Sequence, residues 1–175
     1  QRLLFARDVG GSEFFQLFGF ELETGRSRMH TYGTSRNLGG SWANAGDRFA
    51  YSTTRRNGRD TDIHLMAVAE PGSSRPLVED SGSWGAGEWS PDDTRLLVMR
   101  YVSANESYPY VVDVATSART PMFTEGARVS YGSAVWSRDG KGAYYTSDED
   151  SEFRRLRYFD MASGTRRVVR EDISW

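Results

Sequence analysis

Three tryptophans, Trp42, Trp89 and Trp136, stand 47 residues apart, and each opens a copy of one pattern. The copies read Trp42-Ala-Asn-Ala-Gly-Asp-Arg-Phe-Ala-Tyr, Trp89-Ser-Pro-Asp-Asp-Thr-Arg-Leu-Leu-Val and Trp136-Ser-Arg-Asp-Gly-Lys-Gly-Ala-Tyr-Tyr. Other features keep the same phase. Glu79, Glu125 and Glu171 are spaced by 46, Asp113 and Asp160 by 47, and Ser12-Glu13-Phe14 precedes Ser151-Glu152-Phe153 by 139. A fixed period of about 40–50 residues marks a repeat architecture, in which each unit buries its apolar faces only against its neighbours.

Each unit reads as four short strands. The first carries the tryptophan, as in Ser133-Ala-Val-Trp136, and a turn of the Ser90-Pro-Asp-Asp93 or Ser137-Arg-Asp-Gly140 kind follows. The second strand is apolar and β-branched or aromatic (Arg95–Tyr101, Ala143–Thr146), and a polar loop leads to the third (Asp62–Val68, Tyr110–Val114, Leu156–Met161). A short turn such as Ala162-Ser-Gly164 then reaches a fourth strand such as Thr165–Val169. No long run carries a 3.6-residue period, so no helix is predicted. Four-stranded units of this length are β-propeller blades. The expected fold is therefore all-β, about 3.7 blades of a seven- or eight-bladed ring. The expected boundaries are 1–34 for an incomplete blade, then 35–80, 81–127 and 128–172 for three blades, with 173–175 starting the next. Trp42, Trp89 and Trp136 are expected as anchors filling the seams between blades. Open blade faces are expected to drive self-association.

Composition narrows the function. At 38% hydrophobic and 13% aromatic residues the chain can form a packed core, and no stretch approaches the ~20 apolar residues that cross a bilayer. Absence of cysteine removes disulfides, zinc–thiolate sites and thiol catalysis, and suits cytoplasm or periplasm alike. The net charge of −2 with interspersed signs gives no field for nucleic acid.

Hydrolytic chemistry would need a positioned serine, a histidine base and an acid. Only His30 and His64 are present, and no Gly-x-Ser-x-Gly elbow exists. His64 falls inside a predicted strand, where an ordinary hydrogen-bond partner is expected. No pair of histidines has metal-ligand spacing, and no cofactor is expected. The acidic runs Asp60-Thr-Asp62 and Asp148-Glu-Asp-Ser-Glu152 lack the twelve-residue calcium-loop pattern and read as solvated loops. Their position matters more, because loops between second and third strands share one rim of a propeller, where a partner is met. The candidate rim residues are Glu13, Arg55, Arg56, Arg59, Asp60, Asp148 and Glu152.

The Trp89-Ser-Pro-Asp92 and Trp136-Ser-Arg-Asp139 repeats resemble those of TolB-like propellers and of the prolyl oligopeptidase family of serine peptidases. Three longer strings, Phe5–Phe14, Tyr51–Ile63 and Thr146–Phe153, resemble the N-terminal propeller of bacterial dipeptidyl-aminopeptidase or acylaminoacyl-peptidase-like members. The chain departs from the repeat at Ala43-Asn-Ala-Gly46, where Ser-Pro-Asp-Gly is typical; Asn44 and Gly46 are expected to preserve that turn. The resemblance implies a parent with a C-terminal α/β-hydrolase domain, whose propeller admits and docks short peptides. None of the triad motif lies in this chain. The alternative is a TolB-like interaction propeller with no associated enzyme. An oligouronide-lyase-like propeller would need a histidine-rich metal centre, which two scattered histidines do not supply.

Overall fold

The computed structural model describes residues 1–8, 10–124 and 126–170. Glu125, Glu171 and the expected blade start at 173–175 lie outside the described residues. Every regular element among them is a strand: β1 (Arg2–Arg7), β2 (Gln16–Glu21), β3 (Ser27–Met29), β4 (Asn37–Trp42), β5 (Arg48–Thr53), β6 (Asp62–Ala67), β7 (Arg75–Val78), β8 (Ser83–Trp89), β9 (Arg95–Ser103), β10 (Glu106–Asp113), β11 (Arg119–Pro121), β12 (Val135–Trp136), β13 (Gly142–Ser147), β14 (Arg155–Asp160) and β15 (Arg166–Val168). They form four sheets in chain order: β1-β2-β3, β4-β5-β6-β7, β8-β9-β10-β11 and β12-β13-β14-β15. Each is a meander, the form that short turns between sequential strands produce. The first sheet holds the pattern's second, third and fourth strands.

The repeated turn explains why the tryptophan strand reverses where it does. Gly46 N–H donates to Ala43 O, Asp93 N–H to Ser90 O and Gly140 N–H to Ser137 O, each at 2.9 Å. The closing residue is left-handed in all three, with φ of 69° at Gly46, 56° at Asp93 and 68° at Gly140. Glycine adopts that conformation without a Cβ penalty, and aspartate is among the few other residues that tolerate it. In the later two copies the side chains lock the turn as well. Ser90 Oγ donates to Asp92 Oδ1 at 2.6 Å and accepts Arg95 N–H at 2.9 Å. Ser137 Oγ donates to Asp139 Oδ1 at 2.7 Å and accepts Gly142 N–H at 3.0 Å. The Ser90 and Thr94 hydroxyls hold the Asp92 carboxyl down at about 2. Ala43 and Ala45 occupy the corresponding places in the first copy, so its turn lacks this hydroxyl–carboxylate pair. Gly46→Ala is expected to cost about 1 kcal/mol through the left-handed backbone alone, since nothing lies within 4 Å of the added Cβ. Urea unfolding measures it, and unchanged stability would contradict the left-handed assignment.

The chain divides into two compact units, Gln1–Ala86 and Gly87–Trp175. In the first, Leu17 of β2 packs with Phe49, Tyr51, Met66 and Val68, and Leu4 and Trp42 close the cluster's edge. In the second, Leu97, Val111, Met122, Val129, Tyr131, Trp136, Ala143, Tyr145 and Phe159 form one cluster. Each unit therefore seals one sheet against the next through inward side chains of alternating strand positions. Trp89 and Trp136 are buried, at 3% and 8% exposure. Trp42 is half-buried. It meets Phe49 edge-on at 5.6 Å, and its other side lines a cleft of about 430 Å³ with Gln1, Arg2, Glu21 and Glu23.

Candidate functional site

The loops between second and third strands carry all seven predicted rim residues. In the first unit, Glu13 lies in the β1–β2 loop with φ 59°, its N–H on Asp8 Oδ2 at 3.2 Å and its carboxylate 3.7 Å from Arg36. The loop is riveted from below by two buried amides. Gln16 Nε2 donates to Phe14, Gly33 and Ser35 carbonyls, and Asn37 Nδ2 donates to Phe15 O and Gln16 Oε1. Such fully used side-chain amides fix irregular backbone that has no ladder partner.

The β5–β6 loop is built around a bidentate ion pair. Arg56 Nε donates to Asp62 Oδ2 at 2.7 Å and Arg56 Nη2 to Asp62 Oδ1 at 3.0 Å, while Nη2 also reaches Asp80 O at 2.8 Å. Asp62 is fully buried, so its charge needs this planar fork. Asp60 lies 3.6 Å from Arg56 and accepts Gly82 N–H at 3.0 Å and Asn57 Nδ2 at 2.8 Å. The Gly82 amide, then Asn57, lowers the Asp60 pKa below the ordinary carboxylate value. Arg56 and Asp60 are thus brought together as structural groups; Arg55, Arg56 and Arg59 are all exposed, and Arg56 is the one held by Asp62.

In the second unit the β13–β14 loop is folded over an inward arginine. Arg157, 4% exposed, donates to Glu149 O and at 2.6 Å to Asp150 Oδ1, with Glu149 Oε2 at 3.6 Å. Asp148 Oδ1 accepts Ser130 N–H at 2.8 Å, and Glu152 is exposed. The acidic run is largely the counter-charge of Arg157. A buried guanidinium on the following strand is the signal that would have indicated this, because charge burial demands a partner.

The first unit also has a cleft at the opposite strand ends, which the rim reading did not include. It measures about 350 Å³ and is lined by Arg2, Gly19, Glu21, Arg28, His30 and Val68 among others. His30 is buried at 2% exposure, edge-on to Phe49 at 5.3 Å, and its Nδ1 has no hydrogen-bond partner. Burial, then the cations Arg28 and Arg2, lowers its pKa.

No protein-family model matches the chain, and no curated protein matches it at a significant level. Solved structures do. TolB from Acinetobacter baumannii superposes with TM-score 0.74 at 19% identity, covering 98% of this chain and 42% of that one. A prolyl endopeptidase superposes with TM-score 0.80 at 16% identity, covering 99% of this chain and 27% of that one. The fold is that of a β-propeller. An oligogalacturonate lyase in complex with manganese shares it too, at TM-score 0.65 and 18% identity, over 92% of this chain and 43% of that one. The chain thus spans about two fifths of the TolB structure and about a quarter of the endopeptidase. A propeller serves a peptidase, a lyase and TolB alike, so function must be argued from particular residues.

Proposed function

We propose that this chain is the non-catalytic propeller portion of a serine oligopeptidase-like protein. It gates and docks short peptides for an α/β-hydrolase domain. The observation that carries the reading is the sequence resemblance of Phe5–Phe14, Tyr51–Ile63 and Thr146–Phe153 to peptidase propellers, each of these strings entering one of the rim loops. The side chains support an inert role in chemistry. Both histidines are buried, at 2% and 5% exposure, whereas a general base must reach the proton it removes. The exposed Arg55 and Arg59 suit a peptide carboxylate, and the exposed Glu13 of the same unit suits a peptide amine.

The chain is expected to bind di- and tripeptides without hydrolysing aminoacyl or acylaminoacyl chromogenic peptides. Arg55→Ala with Arg59→Ala should weaken binding about tenfold, the equivalent of one charge-assisted hydrogen bond. Titration calorimetry with the peptides, beside a turnover assay, makes the test. Turnover blocked by a serine-directed reagent would overturn the inert role. Absence of peptide binding, or an unaffected double variant, would remove the docking role and leave a TolB-like interaction propeller as the better reading.

A further inference from the structure

We propose that Asp62, His64 and Glu79 form a binding site for one divalent transition-metal ion, zinc being the ion best matched to these donors. The three side chains bring one ligand atom each to within 4.8 Å of one another. Asp62 and His64 stand two residues apart on β6 and so share a face. Glu79 follows β7, which pairs antiparallel with β6 at Ile63↔Val78 and, after a register shift, at His64↔Pro76. Strand pairing, rather than sequence spacing, makes the group.

His64 is the reason this is more than a pair of carboxylates. It is 5% exposed, and its Nε2 has no hydrogen-bond partner. Its Nδ1 lies 2.7 Å from Ser74 Oγ, which also receives the Tyr51 hydroxyl at 2.8 Å. Ser74 lies beyond the Leu65↔Arg75 pair, whereas Glu79 lies beyond the Ile63↔Val78 pair at the other side of His64. With Nδ1 engaged by Ser74, Nε2 is the ring nitrogen left to serve the carboxylates. An Nδ1–H donated to Ser74 leaves a bare lone pair on Nε2, the arrangement by which an outer-shell acceptor fixes a metal-ligating tautomer.

The carboxylates complete the set. Asp62 Oδ1 accepts both Arg56 Nη2 and Asp80 N–H, at 3.0 and 3.2 Å, while Oδ2 takes Arg56 Nε–H at 2.7 Å and keeps a second lone pair for the ion. Arg56 then orients a ligand, as outer-shell groups do. Glu79 is exposed and supplies the third donor from the solvent side. One imidazole nitrogen with two carboxylate oxygens and a water is a four-coordinate zinc donor set.

The test is calorimetric titration of the tag-free, EDTA-stripped full chain with zinc chloride. One zinc per chain is expected. Glu79→Gln, at an exposed position, should weaken binding at least about tenfold, and Ser74→Ala, which removes the outer-shell acceptor, about tenfold. Glu70→Gln, exposed and outside the group, should leave it unchanged. Cobalt substitution should give a visible absorption band that Glu79→Gln abolishes. Failure to bind zinc, binding indifferent to Glu79→Gln, or equal weakening by Glu70→Gln would overturn the site. Peptide docking does not enter any of these readouts.

Discussion

Replacing Trp136 by alanine is expected to lower the stability of the chain by about 3–5 kcal/mol, the range for deleting a large buried aromatic. Its strand, β12, has only two residues, so the ladder supplies little and the side chain carries the placement. Trp136 N–H donates to Glu88 Oε2 at 2.6 Å, and Trp136 Nε1 donates to Glu88 O at 3.1 Å. The Arg95 guanidinium lies over the ring at 4.7 Å, and the same arginine donates to Gly140 O at 3.1 Å. The ring thus ties the second unit's two sheets together by burial, hydrogen bonding and a cation–π contact at once. Trp136→Phe keeps most of the burial but removes the Nε1 donor, and about 1–2 kcal/mol is expected for that change. Trp42→Ala should cost less than Trp136→Ala, because Trp42 leaves part of its ring in a cleft. Urea unfolding followed by far-ultraviolet circular dichroism measures all three. Equal losses for Trp42→Ala and Trp136→Ala would show that the repeated tryptophans do not act through burial.

The 47-residue period made the strands legible because it records a physical requirement. Each sheet needs the same turn, the same inward residues and the same ring at its seam. The predicted third strand Asp62–Val68 and the observed β6, Asp62–Ala67, differ by one residue at the end. The candidate site was legible only in part. The loops were found, but a charge in sequence does not state its partner. Arg56 and Asp60 read as rim groups, yet they hold each other and Asp62 in the loop's own framework. The acidic run at Asp148–Glu152 read as solvated, yet Glu149 and Asp150 answer Arg157, an inward arginine on a strand whose neighbours are apolar. Glu79 stands fifteen residues from His64 and meets it only because β6 and β7 pair with a shifted register. Departures from the repeat carry this information poorly, since they depend on which cross-strand residue happens to face them.

Acid should expose the cost of the buried histidines. Burial, reinforced by the Arg55 charge and opposed by Asp62, lowers His64 from 6.5 to about 4. The unfolded chain binds a proton at this ring below 6.5, while the folded chain refuses it until about 4. Protonation therefore favours unfolding. Stability from this group is fully present above pH 6.5 and is lost as pH falls from 6.5 towards 4, by roughly 3 kcal/mol at most. His30, whose pKa is also lowered, acts in the same direction. Asp92 works in a separate window: its depressed carboxyl contributes above its ordinary 3.8 and loses that contribution as pH falls towards about 2. Unfolding free energies measured between pH 7 and pH 4.5 in EDTA should therefore decline steeply. His64→Gln should flatten much of that slope whatever its effect on absolute stability, since glutamine has no proton to take up. A variant that retained the full slope would assign the acid sensitivity to another group and contradict the lowered pKa of the buried imidazole.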